Sequence, residues 1–271
     1  MSAAVSSNAS GRRWRKPAFI ANPFMRWSLI IASVAYVLVA FGSMEINWVR
    51  AFEGLERGGK FIAAFSHPDF VSRWKEISEG IFESLVMSFA ATVVGVAISF
   101  PIALGAARNI TFLPIYLICR GIIALSRALN EIIVAILMVA IFGFGPLAGF
   151  ITLSFATIGF IGKLLAEEIE NADEVQASAV RSTGGSWLQI MNYGYQPQFI
   201  PRLIGLGMYR LDSNFRHSAV LGLVGAGGVG ATLNTAFDRY EFDTAAAIII
   251  VIILTVLALE YISSIIRAKV Q

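Results

Sequence analysis

Residues 132–162, IIVAILMVAIFGFGPLAGFITLSFATIGFIG, hold 31 consecutive positions without a charged side chain. As one straight helix they would extend roughly 46 Å at about 1.5 Å per residue, well past a hydrocarbon core of about 30 Å. The run therefore holds parts of two crossings. Gly143-Phe144-Gly145-Pro146 is the natural break, because glycine relaxes the backbone and proline removes an amide donor. Unbroken apolar stretches of this length exclude the short alternating strands of a membrane barrel. The fold class that follows is an all-α membrane protein.

The rest of the 271 residues agrees, with 56% hydrophobic and 14% charged positions and a mean hydropathy of +0.70. A soluble domain carries about a quarter charged residues. The sequence predicts a polytopic helical bundle of about six transmembrane helices. The first is expected over 26–44, and the others over about 81–107, 113–142, 147–165, 203–229 and 244–266. Residues 1–25 read as a disordered, basic N-terminus and 45–80 as an extracytoplasmic segment whose aromatic residues suit the membrane interface. Residues 81–271 read as the membrane-embedded core. The net charge of +3 comes largely from Arg12, Arg13, Arg15 and Lys16. Their place just ahead of an apolar run favours positive-inside anchoring over nucleic-acid binding. The first apolar segment admits a signal peptide as the alternative, but Ala40-Phe41-Gly42 is a weak cleavage match and a retained span is preferred. Both termini are expected in the cytoplasm. Five lysines and arginines in 45–79 run against the charge rule, so orientation rests on the N-terminal cluster.

One polar segment interrupts the second half, at 166–201. A helix that transmits force between two bodies must project from the bilayer, pack closely and present a bulky anchor. Gly184 and Gly185 are expected to allow close backbone approach, Trp187 to anchor a partner, and Pro197 and Pro201 to stiffen the return. The plain alternative is a solvated loop with an incidental tryptophan.

The pattern Arg181-Ser-Thr-Gly184, nine residues, Gly194, then Gln196-Pro197 resembles the cytoplasmic EAA loop of ATP-binding-cassette importer permeases. Further stretches, Ser126-Arg127-Ala128-Leu129-Asn130-Glu131, Gly143 to Gly149, Asn214 to Gly230 and Glu260 to Arg267, are similar to the phosphonate-importer permease family. That resemblance implies a type I, MetI-like importer permease fold with a short helix docking into a groove on the ATPase. It implies ATPase-docking roles for Ser178, Ala179, Arg181, Gly184, Gly185, Trp187 and Pro197. It also implies an ABC ATPase dimer, an extracytoplasmic substrate-binding protein, a second copy of this chain, lipid contact and an inner-membrane, multi-pass location. No cofactor is expected on this chain, with ATP and Mg on the partner ATPase. Three positions depart from the family pattern: Ser178 where glutamate is usual, Gln196 where leucine precedes proline, and Asn130 where proline is frequent.

Gly225, Gly227 and Gly230 spell G-x-G-x-x-G, the dinucleotide fingerprint, which is meaningful only between a strand and a helix. At the end of an apolar span it reads instead as close helix packing or a broken helix. No phosphate-binding G-x-x-x-x-G-K-[ST] motif occurs, so an energising subunit is expected to be separate. Neither Cys119 nor the two histidines, His67 and His217, build a metal site or a nucleophilic triad, and no catalytic residue is assigned.

Polar residues inside a membrane are costly and point to function. Arg127, Asn130, Glu131, Arg210, Asn214 and Arg216 are the candidate substrate pathway, since arginine grips phosphorus oxyanions in a bidentate fork. The alternative is internal pairing, Arg127 with Glu131 and Arg210 or Arg216 with Asp212. The expected function is permease for a phosphonate or related oxyanion. A methionine or other small-solute permease, and an ATP-independent transporter or channel, are the rival readings.

Overall fold

The structure is a computed structural model that describes residues 22–44 and 47–270. The basic cluster Arg12 to Lys16 lies outside the described residues. All regular elements among the described residues are helical, and the described chain divides between Arg57 and Gly58 into two compact units.

The first unit holds α1, Pro23–Ser43. Asn22 caps it by accepting the amide of Phe24 at 3.0 Å, with Pro23 at the first helical position, where a missing N–H costs nothing. No residue of α1 is buried. The amphipathic helix α2, Trp48–Ala64, spans the division between the units.

The second unit is the helical bundle. Helix α3, Trp74–Ala106, starts about two turns before the expected 81, because Lys75, Glu76 and Glu79 extend it beyond the apolar stretch. The expected continuous span 113–142 is instead broken. Helix α4, Leu113–Ala128, and α5, Glu131–Phe142, meet at 93°. Leu129 and Asn130 adopt extended backbone there, and the Asn130 side chain accepts the Ile132 amide at 2.9 Å. A short polar side chain of this kind satisfies an orphan helix-start donor and so stabilises the break. The break at 143–146 falls where expected: Gly143 and Gly145 have φ of +85° and +136°, and Pro146 opens α6, Pro146–Glu170.

The 166–201 segment is helical rather than a loop. It comprises the end of α6, then α7, Glu174–Ser182, the single turn α8, Trp187–Gln189, a π-helical stretch, Ile190–Tyr195, and the start of α9, Gln196–Leu223. Helix α9 ends six residues short of the expected 229, because positive-φ Gly225, Gly227 and Gly228 turn the chain into α10, Val229–Asp238. Helix α11, Phe242–Val270, closes the chain. Helices α1, α3, α6 and α11 are long and apolar enough to cross a membrane alone, and the bent α4–α5 pair passes the same test only when its two helices are taken together, which gives four or up to five candidate spans among the described residues. Helix α9 has the length, 28 residues, but its charges set it apart, so the expected six is an approximate count.

Helices α3 and α6 form the bundle's closest pair. A methyl group at Gly95 would collide with the Thr157 side chain, the close approach that small residues permit in membrane bundles. Buried serines and threonines on these helices, Ser88, Thr92, Thr152 and Thr157, donate to carbonyls one turn back, which satisfies their hydroxyls without a partner helix.

Candidate functional site

Two regions carry the chemistry. The first is a polar seam inside the bundle. Arg210, Asn214 and His217 recur at helical spacing along one face of α9. Arg210, 4% exposed, donates from Nε to Thr157 Oγ1 at 3.1 Å and from one terminal nitrogen to Glu131 Oε1 at 2.9 Å. Its guanidinium also lies 5.6 Å from the Phe160 ring centre, a favourable cation–π arrangement. The other Glu131 oxygen accepts from Nδ1 of His217. Fully buried Asn214 donates to Thr92 Oγ1 at 2.9 Å and Thr157 Oγ1 at 3.1 Å. The seam therefore ties α3, α5, α6 and α9 together through one carboxylate, one guanidinium, one imidazole, one amide and two hydroxyls.

Glu131 borders two cavities. One, of about 180 Å³, is lined by Ser126, Arg127, Phe160 and Arg210 among others. The second, of about 260 Å³, includes Asn130 and His217. The structure thus gathers five of the six pathway candidates, Arg127, Asn130, Glu131, Arg210 and Asn214, around the seam. Arg216 is apart: it pairs with Asp212 at 2.5 Å one turn back on α9, with its side chain 45% exposed. That was one of the anticipated pairings. The anticipated Arg127–Glu131 pair is absent among the described residues, because the 93° break places the two on different helices and removes the i, i+4 geometry it needs. Arg210 likewise pairs with Glu131 rather than Asp212, since positions two apart on a helix do not face one another. Thr92 and Thr157 had no signal in the sequence, where threonines in apolar spans are ordinary.

The second region is the hairpin between α6 and α9. Ala177 on α7 and Gly194 on the π-helical stretch are in contact: a methyl group at Gly194 would meet the Ala177 Cα at 2.8 Å. Gln198 staples the hairpin. Its side chain accepts the Asp173 amide at 2.8 Å and donates to the carbonyls of Asp173 at 3.1 Å and Gly194 at 2.6 Å. Asp173 caps α7, and Ser186 with Gln189 form a reciprocal capping box at α8. Met191, Tyr195 and Phe199 continue the hairpin interior into the bundle core with Leu165 and Ile169. Gly184 has φ +80° and open space beside it, so it serves the turn. At Gly185 a methyl group would come within 3.0 Å of Val180, so this glycine packs against the end of α7. Ser178, Ala179, Arg181, Trp187 and Pro197 are all exposed. Val175, Trp187, Leu188 and Tyr193 expose 70%, 56%, 64% and 71% of their surface.

The glycine-rich turn after α9 is a packing device. The Gly228 amide donates to Glu83 Oε1 at 2.7 Å and the Val229 amide to Ser84 Oγ at 2.9 Å, so α3 caps the start of α10. At the start of α3, outside the apolar stretch, Arg73 bridges Glu76 and Glu241 at 2.9 and 2.8 Å. The hydrogen bond that Arg73 donates to Glu76 leads the causes that raise the Arg73 pKa. Asp69 is held below the usual aspartate range, first by its hydrogen bond with the Ser72 side chain and then by the Ser72 and Val71 amides.

Residues 99–271 match the family described as binding-protein-dependent transport system inner membrane component. The phosphate-import permease protein PhnE of Mycolicibacterium smegmatis is 35% identical over 245 residues, which is 90% of this chain; the chain spans 46% of that protein's length. The putative phosphite transport system permease protein HtxC of Stutzerimonas stutzeri is 35% identical over 243 residues, 89% of this chain and 84% of HtxC. In fold, the bundle is similar to an inward-facing methionine ABC transporter MetNI structure, with a TM-score of 0.64 at 20% identity over 74% of this chain and 100% of that one. The matched segment contains the whole polar seam except Thr92 and the whole hairpin, and with the apolar helices it makes this multi-pass chain a member of the binding-protein-dependent inner-membrane component family, the permeases of ABC importers.

Proposed function

We propose that this chain is the permease subunit of an ATP-driven importer for a phosphonate or a related phosphorus oxyanion. The observation that carries the substrate class is the guanidinium of Arg210, almost fully buried and lining a cavity with Arg127. A fork of N–H donors in a low-dielectric setting suits a tetrahedral oxyanion. The permease names of relatives at 35% identity support the same class.

On this reading the hairpin is the ATPase-docking element. Ser178, Ala179, Arg181, Gly184, Gly185, Trp187 and Pro197 lie on or beside a small helical unit whose interior is continuous with the bundle core. Closure of two ATPase subunits, holding ATP and Mg, would push the hairpin as one piece with the core ends of α6 and α9. A second copy of the chain supplies the second docking element, and a loaded binding protein delivers the anion at the far end of α3. Both termini then face the cytoplasm.

The test uses the permease assembled with its ATPase and binding protein, loaded with phosphate, phosphite or methylphosphonate. Loaded binding protein is expected to stimulate ATP hydrolysis. Gly194→Val, which overpacks the hairpin against Ala177, is expected to cut that stimulation about tenfold, within the range of a 1–3 kcal/mol overpacking strain, while the helix content of the purified chain is unchanged. Uptake without the ATPase would overturn the importer reading. Unaltered stimulation in the variant would remove the hairpin from coupling.

A further inference from the structure

The carboxylate of Glu131 stands where a transported oxyanion would stand. It is the first residue of α5, beyond the Asn130 cap, where the partial positive charge of the helix start favours the ionised form. One of its oxygens takes an N–H of Arg210 and the other the Nδ1–H of His217. Arg210 has five N–H donors, of which Thr157 takes the Nε–H and Glu131 one of the rest. The remainder meet no acceptor among the described residues, and the guanidinium lines the cavity of about 180 Å³. That volume equals roughly six water molecules at about 30 Å³ each, room for a tetrahedral oxyanion with part of its hydration shell. Arg127 lines the same cavity and makes no hydrogen bond or ion pair among the described residues.

These features have a common physical consequence. A lone guanidinium at this depth would be an uncompensated charge in a poor solvent, and it would also bind a passing anion too firmly to release it. A resident carboxylate removes both problems. It neutralises Arg210 while the pathway is empty, and an incoming anion must compete with it, which weakens the anion's hold. The carboxylate is not stranded when displaced, because His217 holds its second oxygen on the side of the other cavity.

Resting on the pathway reading above, we propose that Glu131 is a built-in surrogate for the transported oxyanion: it occupies Arg210 when the pathway is empty, yields it to the anion, which Arg127 also meets, and reclaims it as the anion leaves.

The experiment measures retention of radiolabelled inorganic phosphate by the permease–ATPase complex in lipid nanodiscs without binding protein, alongside uptake of phosphate, phosphite and methylphosphonate by the full transporter. Glu131→Gln removes the competitor and is expected to tighten phosphate retention about tenfold, equivalent to about 1.4 kcal/mol, and to slow uptake through delayed release. Glu131→Asp keeps the charge but shortens its reach and is expected to tighten retention about threefold, roughly half as much on the logarithmic scale. Structural damage alone would not increase binding. Retention that is unchanged or weaker in Glu131→Gln overturns the proposal, and if that variant fails to assemble, unchanged retention in Glu131→Asp does so. Arg210→Gln separates the two levels. If it leaves uptake of all three anions intact, the pathway reading itself fails. If it abolishes uptake while neither Glu131 variant tightens retention, only the surrogate role fails.

Discussion

The seam around Glu131 and the hairpin at 174–195 break the ordinary partition of side chains in opposite directions. The seam buries charge and hydrogen-bonding groups inside an apolar bundle, with Arg210 at 4% exposure and Asn214 at 0%. The hairpin exposes large apolar groups on a polar scaffold, with Trp187 and Tyr193 more than half exposed. Each violation is stabilised locally. In the seam, Arg210 and Asn214 each donate to acceptors on other helices; in the hairpin, Gln198, Asp173 and the Ser186 capping box hold the backbone so that exposed side chains need not. On the proposed function, the difference separates two kinds of ligand. A polar group held at the cost of desolvation suits something small and charged that enters the bundle, whereas an apolar group left in the open suits a large surface.

The largest expected effect tests the seam. Arg210→Ala leaves Glu131 without its guanidinium and should destabilise the purified chain by about 3 kcal/mol, the lower end for breaking a buried pair. The paired change Arg210→Met with Glu131→Leu should restore most of that stability, since replacing a buried pair by apolar groups is often neutral, while uptake stays abolished. Denaturant titration in mixed micelles checks the first outcome and reconstituted uptake the second. A double variant that is as unstable as the single one would make the seam a structural strut, and the contrast with the hairpin would lose its meaning.

The next effect tests the hairpin. Trp187→Ala should weaken ATPase binding by about 2 kcal/mol, roughly thirtyfold in Kd, as expected for an interface anchor. Because its side chain is 56% exposed, the thermal stability of the chain alone should hardly change. A loss of stability without a loss of affinity would turn Trp187 into an internal prop and make the two regions alike.

Much of this was legible in the residues, and the gaps have physical causes. The break at 143–146 was visible because glycine and proline act locally. The break at 129–130 was not, because Asn130 ends one helix and starts the next by capping rather than by steric exclusion, and an asparagine in an apolar run carries no such signal alone. The missed break also produced the wrong partner for Glu131, since i, i+4 logic presumes a continuous helix. Arg210 and Asn214 stood out as charge and amide in a span, but Thr92 and Thr157, which accept their hydrogen bonds, are separated from them by more than fifty residues. The hairpin's exposed tryptophan, Trp187, stood out in a polar segment. Its staple, Gln198, was not, because one amide spans Asp173 and Gly194 only after the chain has folded back.

The smallest effect asks whether the seam is one cooperative unit or an ion pair with hydrogen-bonded neighbours. Asn214→Ala deletes the bonds to Thr92 and Thr157, yet both hydroxyls keep donating to their own helices, Thr92 to Ser88 at 2.7 Å and Thr157 to Leu153 at 2.6 Å. No donor is therefore orphaned. Asn214 Oδ1 is itself buried without a partner, so its removal offsets part of the loss. Membrane hydrogen bonds contribute on average about 0.6 kcal/mol each and at most about 1.7, which places the net cost near 1 kcal/mol. The same denaturant titration reads it. A cost matching that of Arg210→Ala would mean that Asn214 holds Thr157 in place for the Arg210 Nε–H, because Thr157 Oγ1 accepts from both side chains at 3.1 Å. Then the aim of the guanidinium would depend on all four helices at once, and a shift in any of them would reach Glu131.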